Sequence, residues 1–122
     1  RAVLGEEHVA RAIASSTEFT APFQEFITRY AWGDVWSRPG LTRRERSVVT
    51  LAALVTLGAE QEMAMHLRGA IRNGLTPAEI GEVLLHTALY AGLPRANRAF
   101  AIAQQSLAEL GPTGARTETG TA

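Results

Sequence analysis

Residues 76–94 read Thr-Pro-Ala-Glu-Ile-Gly-Glu-Val-Leu-Leu-His-Thr-Ala-Leu-Tyr-Ala-Gly-Leu-Pro, and this one stretch holds the start and the stop of a helix. Thr76 and Glu79 have the spacing of a capping box, in which hydroxyl and carboxylate satisfy each other's backbone donors. Pro77 suits the first helical position, where its fixed φ and missing N–H do no harm. Gly92-Leu93-Pro94 then ends the run. The same punctuation recurs along the chain: Thr42 with Glu45 opens a helix that Gly58 closes, and Asn73-Gly74 stops another. Helices are therefore expected at about 42–57, 60–73, 76–91 and 94–110. Two more are expected upstream at about 6–15 and 21–32, the second with Pro22 near its start. No convincing period-2 strand appears. The expected fold is all-α, a bundle of about six helices.

Between these helices, Gly33 to Leu41, with Trp36, Pro39 and Gly40, reads as an irregular connection or a short turn of helix. From Gly111 onward the composition is that of a disordered tail, giving a domain over 1–110 and a tail over 111–122. The helix opened by Thr42 is apolar on nearly every face between Val48 and Leu57, which predicts a central, buried position. Its first turn crowds Arg43, Arg44 and Arg46, although cations are disfavoured at a helix N-terminus. Such a breach of a local rule is expected where a site holds an anion.

Composition removes several classes of function. The 122 residues suit one domain, small enough for subunit contacts to complete its core. There is no cysteine, so disulfides, thiolate metal sites and Cys-x-x-Cys redox chemistry are excluded. All 12 basic residues are arginine, an outcome that a GC-rich genome explains. The absence of lysine also excludes Schiff-base catalysis and pyridoxal phosphate attachment. A substrate carboxylate must then be held by arginine. The formal net charge of 0 gives no support for nucleic acid or an anionic membrane as partner. No apolar run approaches the ~20 residues that span a bilayer, and no signal peptide opens the chain, so a cytoplasmic protein is expected.

Two Glu-x-x-x-His spacings stand out. Glu62 with His66, and Glu82 with His86, each place a carboxylate beside an imidazole on one helix face, and Tyr90 extends the second stripe. These are proton-handling groups, and they occur without a thiol nucleophile or a phosphate-binding loop. For Glu62/His66 the alternative is an exposed ion pair, although Met63, Met65 and Leu67 favour partial burial. For His86, set among Val83, Leu84, Leu85, Ala88 and Leu89, the alternative is a core histidine bonded to a backbone carbonyl. A metal site is disfavoured, because helical di-metal sites use Glu-x-x-His at i, i+3 with further glutamates. Tyr30, Trp32 and Trp36 form an aromatic cluster suited to core or subunit packing, and also to lining an apolar pocket.

The stretch Ile27 to Leu41 resembles the distinctive segment of the 4-carboxymuconolactone decarboxylase family. So do Arg43-Arg44-x-Arg46-Ser47 leading into an apolar helix, Met65-His66-Leu67-Arg68, Glu82-Val83-Leu84-Leu85-His86, and Tyr90-Ala91-Gly92-Leu93-Pro94-x-Ala96-Asn97-x-Ala99-Phe100. The match spans about residues 1–110. In thiol peroxidase relatives resembling alkylhydroperoxidase D, which carry Cys-x-x-Cys-x-x-x-His, the histidine falls on His66 and the cysteines on Ala59 and Glu62. Their upstream glutamate falls at about Ser47. The redox apparatus is missing, so the decarboxylase branch stands.

This resemblance implies an alkylhydroperoxidase D-like helical subunit in a ring-like homo-oligomer, a hexamer or trimer, with no metal or organic cofactor. It implies a dicarboxylate lactone as substrate and a place in the protocatechuate branch of the β-ketoadipate pathway. In some bacteria this decarboxylase is fused behind an enol-lactone hydrolase, and the start at Arg1 fits such a fusion. The implied lactone is its own electron sink, so the site needs a cation, an enolate-stabilising donor, a proton donor and an apolar wall. The expected assignments are Arg43 or Arg46 for the acetate carboxylate, and Tyr90 or His86 for the enolate oxygen. His66 oriented by Glu62 is expected to supply the proton, and Trp36 the wall.

Overall fold

Both capping boxes form. In the computed structural model, which describes residues 3–119, the Glu45 amide donates to Thr42 Oγ1 at 3.0 Å, and the Thr42 amide to Glu45 Oε1 at 2.8 Å. At the second box the Glu79 amide lies 3.1 Å from Thr76 Oγ1, and the Thr76 amide 2.9 Å from Glu79 Oε1. These contacts launch α3 (Arg43–Leu57) and α5 (Pro77–Ala91). Gly58 takes the left-handed φ of 72° that closes α3, and Gly92, at φ 96°, follows α5. The remaining α-helices are α1 (Glu6–Ala14), α2 (Ala21–Phe26), α4 (Glu60–Arg72) and α6 (Leu93–Thr119). Among the described residues there is no strand, and no helix is long and apolar enough to cross a membrane.

Helices α3 to α6 form the packed unit, with α4 and α5 each lying against both α3 and α6. Leu51, Val55, Met63, Leu67, Leu75, Ile80 and Leu84 are almost wholly excluded from solvent at its centre. Ala99 and Ala103 on α6 are small enough to let that helix approach. Truncating Leu84 to alanine is expected to cost about 2–5 kcal/mol. Polar pairs sit around this core. Arg44 pairs with Glu79, tying the first turn of α3 to that of α5, and Arg98 Nη2 reaches Glu60 Oε1 at 2.9 Å across α6 and α4. One of the three arginines crowded at the start of α3 is thus held by a structural partner.

Three expectations need correction. Helix α3 is not buried all round: Ser47, Leu51 and Val55 form its buried stripe, while Val49 and Leu57 are 58% and 71% exposed. Only part of its circumference is covered within one chain. Residues 27–35, divided in the reading between a helix and an irregular link, are one π-helical segment, Ile27–Val35, continuous with α2. Its last bond, from the Trp36 amide to Ala31 O at 2.8 Å, spans five residues. Finally, α6 extends to Thr119, past the expected stop at 110. The expected tail therefore coincides with α6 up to 119, and residues 120–122 lie outside the described residues.

The N-terminal segment packs onto α4. Val3 is buried, and a β-carbon added at Gly69 would stand 3.0 Å from its carbonyl oxygen. A side chain at that point of α4 would push this backbone away by a few tenths of an ångström, so glycine favours the close pass. The Arg72 side chain covers Gly5 from the next turn of the same helix. The segment leading into α1 is thereby anchored on α4.

Candidate active site

His66 projects from α4 into a wall of indoles. Its ring centroid lies 6.4 Å from that of Trp32 and 6.4 Å from that of Trp36, with interplanar angles of 26° and 21°. The two tryptophan rings are 5.5 Å apart. Trp32 belongs to the π-helical segment and Trp36 follows it directly, so the unusual winding positions both. Burial holds the imidazole pKa below the usual histidine range, and nearby His8 adds to the depression. Glu62, one turn earlier on α4 and exposed, opposes it. Of the two readings of Glu62/His66, a fully exposed surface pair is excluded, because the imidazole is half-buried.

Arg46 reaches the same region from α3. Its Nη2 donates to Arg38 O at 3.1 Å, and the Arg38 amide donates to Val35 O at 3.1 Å, so Arg46 braces the turn containing Trp36. Its Nε is buried without a hydrogen-bond partner. A buried, unpaired guanidinium N–H costs about 1–3 kcal/mol or more, which a bound anion would offset. Arg43 is exposed at the start of α3. Ser47, at the approximate place of the peroxidase glutamate, is buried and accepts a hydrogen bond from Asn73 Nδ2 at 2.9 Å.

The second stripe lies elsewhere. His86 and Glu82 are exposed and line a groove between α3 and α5 with Val48, Ala52 and Leu89. Tyr90 is 80% exposed, its ring 5.8 Å from that of His86. The core-histidine alternative for His86 is thereby overturned. Ile80, Leu84 and Thr87 carry the buried face of α5, and two residues past Leu84 turn His86 about 200° away from it.

A cavity of about 730 Å³ opens between α1, α2, the π-helical segment and α4. Trp32, Met65, Ile27 and Val9 contribute to its apolar lining, and His8, Arg11 and Gln24 are among its polar groups. Burial, Arg11 and Arg68 together hold the His8 pKa low. Sequence reasoning passed over His8 and Arg11. Their one local signal is a spacing of three residues on α1. Among the described residues no three of His, Asp or Glu converge closely enough to share a metal ion.

Residues 21–105 match the model of the carboxymuconolactone decarboxylase family. The chain belongs to this family. A 4-carboxymuconolactone decarboxylase from Acinetobacter baylyi is 51% identical over 109 residues, which are 89% of this chain and 81% of that protein. A nitrosuccinic acid decarboxylase from Metarhizium robertsii is 45% identical over 108 residues, covering 88% of this chain and 76% of its own. A 4-carboxymuconolactone decarboxylase from Pseudomonas putida is 53% identical over 34 residues, 28% of this chain and 71% of that one.

Proposed function

We propose that this chain decarboxylates 4-carboxymuconolactone to the β-ketoadipate enol-lactone, in the protocatechuate branch of aromatic degradation, without metal or organic cofactor. The observation that carries the reading is a half-buried imidazole walled by two indoles, in a family member 51% identical to a decarboxylase of that name. The adjoining cavity of about 730 Å³ is within the range that holds small ligands.

The chemistry follows from the substrate's bonds. The bond from the γ-carbon to its carboxylate breaks, CO2 leaves, and the electron pair forms a γ,β double bond. The former α,β pair shifts to the carbonyl carbon, and the carbonyl π pair moves onto oxygen. The product of this step is a furan-like enolate. Protonation at the α-carbon restores the carbonyl and gives the enol-lactone. The lactone carbonyl accepts the electrons, which is why no cofactor is required.

His66 is the proton donor in this reading. Its depressed pKa keeps it mostly neutral in the free protein, and a bound dianion favours the imidazolium. Substrate thus charges its own acid, with Glu62 assisting. Trp32 and Trp36 supply the apolar wall that favours neutral CO2 over carboxylate. We assign the buried Nε–H of Arg46 to the enolate oxygen, because a preorganised, desolvated donor acts most strongly where charge develops.

Tyr90 and His86, the other residues considered for that oxygen, share the exposed face of α5 with Leu85 and Leu89. We assign this face, with Val49 on α3, to contact between subunits of a homo-oligomer.

The Metarhizium relative favours a second reading, decarboxylation of nitrosuccinic acid. There the nitro group takes the electron pair as a nitronate, and the same acid and wall serve. Incubating the protein separately with 4-carboxymuconolactone and nitrosuccinic acid, and following CO2 release, tests both. Release from the lactone is the expected result. Release from neither would overturn the decarboxylase reading, and release from nitrosuccinic acid alone would replace the substrate.

A further inference from the structure

The proposed substrate is a dianion that loses one carboxylate and keeps the other. The departing group needs apolar surroundings, so the retained one must be held by a cation elsewhere in the cavity. Arg46 is committed to the turn after Trp36, and Arg43 is exposed at the start of α3. The cavity's own basic side chains come from α1. His8 and Arg11 stand three residues apart on one face of that helix, and both line the cavity together with Trp32 and Met65.

We propose that α1 is the substrate-selecting element of this enzyme, and that His8 and Arg11 form the subsite for the carboxylate retained through the reaction. The inference rests on the decarboxylase reading for the identity of the substrate.

Three features of the structure support it. First, the segment leading into α1 is held in place: Val3 is buried, its carbonyl passes within 3.0 Å of where a β-carbon at Gly69 would be, and Arg72 covers Gly5. Second, the charge has the right sign. Arg68 on α4 is near enough to His8 to add its positive field, and one carboxylate, Glu7, meets Arg11 at 3.1 Å through Nη1. That contact is exposed and orients the guanidinium while leaving its other N–H groups to a ligand. Third, α1 lies outside residues 21–105, the span matched to the family. His66, Trp32, Trp36 and Arg46 all fall within that span.

The subsite holds a charge present in the ground state as much as in the transition state. Its loss is expected to raise KM while leaving kcat nearly unchanged. Arg11→Gln is expected to raise KM for 4-carboxymuconolactone about 10-fold, and the His8→Asn/Arg11→Gln pair about 100-fold, as loss of charge-assisted contacts predicts. Arg11→Lys should recover part of the loss.

A binding arm reads the subsite independently of turnover. Maleate, a small planar dicarboxylate, is titrated against the native protein while indole fluorescence is followed, since Trp32 lines the cavity. The native protein should bind maleate, and the double variant should bind it at least 10-fold more weakly. Crotonate, the monocarboxylate of similar shape, should bind weakly to both. Unchanged KM and unchanged maleate binding in a folded double variant would remove α1 from substrate recognition, while CO2 release by the native protein would leave the decarboxylase reading standing. Absence of CO2 release with intact, variant-sensitive maleate binding would sink the reading and keep the subsite. A fall in kcat at unchanged KM would overturn the proposal.

Discussion

Trp36 faces His66 with 6.4 Å between ring centroids and 21° between ring planes. An indole at this position excludes water from one side of the imidazole, and burial is the largest cause of its lowered pKa. Replacing Trp36 with alanine should admit water and move the His66 pKa up towards its usual value, as followed by NMR titration of the ring protons. A ring that titrated unchanged in Trp36→Ala would assign the depression to other neighbours.

The same shift makes stability depend on pH. The unfolded imidazole titrates near ~6.5, and in the folded protein His66 titrates lower. Above both values neither state is protonated, and the stability is full. As pH falls through ~6.5 the unfolded chain takes the proton first, so stability declines until the folded pKa is reached. His8 is shifted in the same direction and adds to the slope. Denaturant midpoints should therefore fall between about pH 7 and pH 5, and His66→Gln should flatten part of that fall.

Within the enzyme, His66 and His86 should behave very differently. His66→Ala is expected to lower kcat by ~10²–10⁴-fold, the usual contribution of a positioned acid or base, with a much smaller effect on KM. His86→Ala, on the exposed face of α5, should retain most of the activity per assembled subunit. The reverse ranking would transfer the acid to α5.

Chelation should leave turnover unchanged. This follows from a substrate that accepts its own electron pair. Loss of CO2 release after exhaustive chelation, with recovery on adding one divalent metal, would contradict it.

The exposed apolar face predicts association. Leu89 is 76% exposed beside Tyr90 and Leu85. Leu89→Asp should lower the mass measured by light scattering without changing the helical content. A native protein that is monomeric and active at assay concentrations would remove the subunit assignment of this face.

The helices were legible because their ends are written in local chemistry. Thr42 and Thr76 with their glutamates, and Gly58 and Gly92, act within a few residues of themselves. His66 was legible for a similar reason: its carboxylate and its apolar neighbours lie on its own helix. The apolar residues around His86 suggest a core position, yet part of that apolarity belongs to an exposed face. Local composition does not separate a core face from a contact face. His8 has no such local signal, because the cavity it lines forms only when the chain ahead of α1 lies against Gly69 of α4, some sixty residues away. The π winding has no hydrophobic period of its own. Its one hint is Gly33, where a β-carbon would stand 3.1 Å from Thr28 O.

That winding carries a consequence for insertions and deletions. From Ile27 to Val35 the chain is a π-helix, with bonds that reach one residue further than in an α-helix, and Trp32 within it and Trp36 just after it both face His66. Removing a single residue between them would let the backbone relax to ordinary α-helix with its hydrogen bonds intact, because wider winding takes up one extra residue along the same path, and would leave Trp36 near its present side of the axis. The segment should therefore absorb the loss of one residue as well as substitutions at its exposed positions, whereas the gain of one would demand still wider winding.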